Sequence, residues 1–108
     1  MSAQGIILGG HDALKGHFVA EGNDIEIRGQ LIPPVPPFTV NTVTLKYENL
    51  GDLTGTYQLG SSPSHIGPED LQFEAVNPDG KTISFTGSLS EPAPTRQTIT
   101  GTINFLDI

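Results

Sequence analysis

Cysteine is absent from the 108 residues, which excludes disulfide staples and thiolate-held metals and leaves a packed core as the means of folding. Bases are scarce. Only Lys15, Arg28, Lys46, Lys81 and Arg96 stand against twelve acids, for a net charge of −7, and they never cluster along the chain. A surface that tracks a phosphate backbone needs a run of cations, so nucleic acid is not an expected partner. No apolar run approaches the ~18 residues of a membrane span, and no basic stretch followed by a long apolar one begins the chain. A membrane partner and a leader peptide are therefore not expected, and the reducing cytoplasm is the expected compartment. Helical periodicity is missing as well, because glycine or proline interrupts every i, i+3, i+4, i+7 pattern. At most one helical turn is expected, at Pro68-Glu69-Asp70 or at His11-Asp12-Ala13-Leu14.

What the chain does contain is enough apolar material for one core: 30 of its residues are Leu, Ile, Val or Phe, a share above that of disordered chains. A single domain spanning residues 1–108 follows. Period-two alternation runs through it. Leu14, Gly16, Phe18 and Ala20 share one face of a strand, as do Ile25, Ile27, Gly29 and Leu31. Between them Gly22-Asn23 suits a type II′ turn, and that register sets Phe18 opposite Ile27. Val43, Leu45 and Tyr47 then alternate towards Leu53, Gly55, Tyr57 and Leu59 through a loop at Asn49-Leu50-Gly51, with Gly51 left-handed. Phe38 and Val40 are even-numbered whereas Val43 is odd, and this phase slip predicts a bulge at Asn41-Thr42. Leu71, Phe73 and Ala75 face Ile83, Phe85 and Leu89 across Asn77-Pro78-Asp79-Gly80, a type I turn closed by a left-handed glycine. A last strand carries Ile99, Gly101, Ile103 and Phe105, with the strand before it as expected partner, and a short first strand covers residues 5–8. The class is all-β, a single antiparallel eight-stranded up-and-down meander forming a closed or nearly closed small barrel, with a two-sheet β-sandwich as the alternative.

Closure is suggested by five pentads that place glycine on the apolar face, at Gly16, Gly29, Gly55, Gly87 and Gly101. Glycine weakens a strand interior unless the sheet must coil tightly or admit a large facing side chain. The loops are also unequal. Tight turns near residues 22, 50 and 79 mark one end of the meander, and the longer segments 9–13, 32–37, 60–70 and 90–97 mark the other. That long-loop rim is the expected ligand site. Tyr57, inward by parity, would present its hydroxyl there, and His65, His11 and Arg96 lie in the rim segments. His11 and His65 lack the spacing of a metal site, so neither metal nor cofactor is expected. Pro33-Pro34-Val35-Pro36-Pro37 suits a stiff crossover better than a recognition motif, and Ser61-Ser62-Pro63-Ser64-His65 is a polar loop rather than a nucleophile motif. No motif in the sequence gives positive evidence of catalysis.

Leu53-Thr54-Gly55-Thr56-Tyr57 resembles the Thr-Gly-x-Tyr-like segment that avidin-type barrels repeat on successive strands, and the pentads at Gly87 and Gly101 echo it. The resemblance implies an eight-stranded barrel of calycin type with a ligand mouth, often assembled as dimers or tetramers, with Tyr57 at the place of the biotin-contacting tyrosine. The biotin pocket itself is not carried over. This chain has no tryptophan, and Leu59 stands where the family has serine. The function expected is a non-enzymatic binding module holding a small, largely apolar molecule at the rim. The alternatives are a structural or homo-oligomerising module whose uncharged, Thr-rich outer faces pair with copies of itself, and an isomerase or cyclase-type barrel enzyme acting through a rim histidine.

Overall fold

The computed structural model describes residues 2–59, 64–92 and 96–106, the side chain of Pro33 excepted. Eight strands run through them: β1 (Ser2–Ala20), β2 (Asn23–Lys46), β3 (Gly55–Leu59), β4 (His65–Ile66), β5 (Asp70–Val76), β6 (Thr82–Ser88), β7 (Gln97–Thr98) and β8 (Thr100–Leu106). All belong to one sheet, every pairing is antiparallel, and the sheet closes into a barrel. β2 serves the wall twice. Its first half pairs with β8 and its last residues pair with β6. The circuit from β8 to β6 passes through β3 and β5, and the short β4 and β7 are extra strands at one end.

Two connections differ from the sequence-based expectation. Residues 47–54 do not close a hairpin, because β3 lies between β8 and β5 rather than beside β2. A 3-10 turn at Leu50–Asp52, with Asn49 in a capping box, fills that passage. The left-handed glycine of this region is Gly55, φ 77°, at the start of β3, not Gly51. The last strand, β8, likewise pairs with β2 and β3 and not with its predecessor.

The expected rim segments 9–13 and 32–37 are strand, not loop. β1 runs as strand through residues 9–13, but its ladder slips at Gly9/His11 and His11/Ala13, and His11 is left-handed at φ 55°. There the strand doubles back on itself. A Cβ on Gly5 would fall on the carbonyl oxygen of His17, one on Gly9 would stand 2.6 Å from that of Ala13, and one on Gly16 2.9 Å from that of Ile6. Only residues without a side chain allow this approach. β2 runs round the outside of the corner through its five-residue proline segment. Val35 alone pairs there, with His11, since prolines have no N–H to give a ladder.

The first hairpin turns at Glu21 and Gly22, both at positive φ (51° and 80°), as a type I′ turn requires. Gly22-Asn23 is therefore not the central pair. Phe18 faces Ile25 and Gly16 faces Ile27, a slip of two residues on β2 from the expected register. Because the slip is even, every side chain keeps its face. The bulge at Asn41-Thr42 is where the phase change put it: Gly5 pairs Val43 and Ile7 pairs Val40, so two residues oppose Ile6 alone.

The Asn77 turn also has the expected form, with Gly80 at φ 83° and Gly80 N–H donating to the Asn77 carbonyl at 3.0 Å. The Asn77 side-chain oxygen accepts from Asp79 N–H at 3.0 Å and Lys81 N–H at 2.9 Å. Asn77→Ala removes both bonds and is expected to cost about 1 kcal/mol, lowering the thermal midpoint by about 5 °C. An unchanged midpoint in calorimetry would show that the backbone alone holds the turn.

Inside the barrel, Phe18, Tyr57, Phe73 and Phe85 are fully buried and Phe105 nearly so. Phe85 stands between Phe18 at 5.7 Å and Phe73 at 6.4 Å, and Tyr57 meets Phe105 edge-on at 5.6 Å. These tilted and edge-to-face contacts are the favoured aromatic geometries.

Candidate functional site

The described parts of the four segments expected at one rim do meet there, and they are tied to one another and to their neighbours. Gln97 Nε2 donates to the Pro34 carbonyl at 3.0 Å, Ser90 N–H to Thr39 at 2.9 Å and Leu89 N–H to Glu69 at 2.8 Å. β4 lies between β5 and β7, and Ile99 N–H donates to the Ser64 carbonyl at 2.9 Å. Beneath this strap Leu31, Val35, Ile66, Leu71 and Ile99 are buried. Among the described residues, aliphatic side chains are thus packed beneath the mouth that the loop lengths suggested. Residues 60–63 and 93–95, which belong to the expected rim loops, lie outside the described residues.

The expected site residues do not form one cluster. Tyr57 points the other way: its hydroxyl donates to the Asp52 carbonyl at 2.6 Å, at the tight-turn end, and burial followed by the nearby Asp52 charge raises its pKa. Its hydroxyl is therefore committed within the fold and does not present itself at the rim. His65 is at the rim but buried, its Nε2 3.1 Å from Asp70 Oδ1. Beside it, the Ser64 hydroxyl accepts from Glu74 N–H at 3.1 Å. His11 is exposed at the β1 corner opposite Val35, and Arg96 is exposed one residue before β7. Among the described residues no three His, Asp or Glu side chains come together as metal ligands would.

The open surface near the rim lies on the outer wall. A hollow of about 410 Å³ is lined by Leu8, Gly9, Gly10, Ala13, Leu14, Lys15 and Arg28. One neighbour of about 440 Å³ shares Leu8 and Gly9 and extends to Pro37, Phe38 and Ser90. Another, of about 130 Å³, shares Leu8 and Lys15 and adds Ile6, His17 and Glu26. Leu8 is the point where the three meet. It is 36% exposed and Ile6 44%, although both are large aliphatic residues.

Sequence reasoning missed this wall for two reasons. Ile6, Ile7 and Leu8 are consecutive and apolar, so alternation cannot say which of them faces out. The bases looked dispersed only because residues 15 and 28 are far apart in sequence. The observed register makes Lys15 and Arg28 direct cross-strand partners, whereas the expected one would have set Lys15 opposite Gln30. Dispersed along the chain, these two bases stand side by side in the fold because of that slip of two residues.

Fold and surface together define a small, closed, antiparallel all-β barrel with a filled interior and an apolar hollow on its outer wall. No family model matches the chain, and no curated protein and no solved structure matches it. No helix among the described residues is long and apolar enough to cross a membrane.

Proposed function

We propose that the protein is a non-enzymatic binding module that holds a small, largely apolar molecule on the outer wall beside the long-loop rim. The observation that supports this is the meeting of three hollows at Leu8. Two of them have volumes within the range of about 300–1,000 Å³ usual for small-molecule sites, and Leu8 and Ile6 supply an apolar floor that water would otherwise cover. The avidin-type resemblance at Leu53-Thr54-Gly55-Thr56-Tyr57 favours a calycin-like binding role by analogy of fold, with the ligand outside the barrel and Tyr57 serving the core.

The uncharged dye N-phenyl-1-naphthylamine, whose fluorescence rises in apolar surroundings, tests this reading. It is expected to bind saturably at one site per chain. Leu8→Asn should weaken that binding about tenfold, as loss of a leucine contact of roughly 1.4 kcal/mol requires, and lower the thermal midpoint by only a few degrees, because Leu8 is 36% exposed. Absence of saturable binding, or binding indifferent to Leu8→Asn, would overturn the proposal.

A further inference from the structure

We infer that the molecule held at Leu8 is a free single-chain carboxylate, with its headgroup at Lys15 and Arg28 and its chain along Leu8 and Ile6. This rests on the binding role proposed above and adds the chemical class of the ligand. Lys15 and Arg28 are cross-strand partners, both are exposed, and both line the 410 Å³ hollow with Leu8. Like charges directly opposite each other on a sheet repel. Neither base has an ion-pair partner among the described residues, whose ion pairs are His17 with Asp24, His65 with Asp70 and Lys81 with Glu48. On the far side of Arg28 the cross-strand neighbour is the neutral Asn104. An anion between the two cations turns a repulsion into two attractions, and the guanidinium fork matches a carboxylate in a bidentate way.

Two further features select the kind of anion. Glu26, which lines the adjoining hollow with Lys15 and His17, offsets one of the two positive charges and leaves room for a single negative one. The apolar wall begins at the same bases, since Leu8 shares both hollows with Lys15. A charged head with an apolar tail fits that juxtaposition. A multiply charged headgroup would face Glu26, Glu91 and the net charge of −7.

Displacement of N-phenyl-1-naphthylamine by decanoate, decanol and decyl phosphate is the test. Decanoate is expected to displace the dye at a concentration at least tenfold below that of decanol, with the advantage shrinking as salt is raised. Decyl phosphate should be no better than decanoate. In the double variant Lys15→Gln/Arg28→Gln the advantage of decanoate should fall below about threefold while dye and decanol binding persist. Lys81→Gln, beside the Asn77 turn and outside all three hollows, should leave the advantage intact. Circular dichroism verifies that the variants fold.

Equal displacement by decanoate and decanol would overturn the carboxylate assignment and leave the apolar hollow standing. An advantage that survives the double variant would place the anion elsewhere and overturn it as well, and stronger displacement by decyl phosphate would reject the monoanion. If the dye itself does not bind, the underlying binding role is what has failed.

Discussion

Phe85→Ala is expected to bring the barrel to the edge of unfolding. Phe85 is fully buried and is the middle ring of three, in contact with Phe18 and Phe73. Truncation removes its burial and leaves a void between two rings held on other strands, so neither can move far to fill it. Phe→Ala changes of this kind cost about 3–5 kcal/mol. A domain of this size is stable by about 5–15 kcal/mol in all, and no disulfide is present to limit the unfolded chain. Urea unfolding should show the stability lowered by that amount, through a lower midpoint at an unchanged slope. A loss below about 1 kcal/mol would show that the interior can collapse around the gap and that the aromatic string is not what holds the wall apart.

Gly101→Ala has the second large effect. Gly101 pairs with Leu31 between β8 and β2, its φ is 140°, and a Cβ there would fall on the carbonyl oxygen of Gln30. Backbone strain of about 1–3 kcal/mol adds to an overpacking cost of about 1–3 kcal/mol, so a loss of roughly 2–4 kcal/mol is expected. Gly51→Ala is the matched control. Gly51 lies in the 3-10 turn with no neighbour within 4 Å of a Cβ, and alanine there should gain about 0.4–1 kcal/mol by restricting the unfolded chain. If both substitutions stabilise, the close approach of β8 to β2 is not essential to closure.

The glycine pentads thus hold two different kinds of glycine. At Gly16, Gly29, Gly87 and Gly101 a Cβ would meet a backbone oxygen of an adjacent segment at 2.9 Å or less, which is how the sheet curls without a void between strands. At Gly55 a Cβ would meet nothing within 4 Å, and the glycine serves a left-handed backbone instead. The same local pattern, hydrophobic-Thr-Gly-Thr-hydrophobic, supports both uses, because what separates them is the position of a strand remote in sequence.

Alternation, the Asn41-Thr42 phase slip and the Asn77-Pro78-Asp79-Gly80 turn are local features. Each depends on residues within a few positions of one another, so the all-β class, the bulge and the third turn were legible before any pairing was known. The choice of partners was not. β3 beside β8 and β5, β8 beside β2, and the doubling of β1 at His11 all join segments far apart in sequence, and nothing in a strand's own pattern names its neighbour. The candidate site shows the same division. Parity places Tyr57 inward, as the fold has it, but whether its hydroxyl points to the rim or to Asp52 depends on the path of residues 47–54. The Lys15 and Arg28 pair depended on whether Gly22 was the first or the second central residue of its turn. Composition and periodicity therefore determined an acidic, disulfide-free, all-β chain curled at glycines. Tertiary structure alone decided that Tyr57 bonds to Asp52 and that Lys15 lies beside Arg28, because long-range register, which no local propensity encodes, sets which side chains face each other across strands.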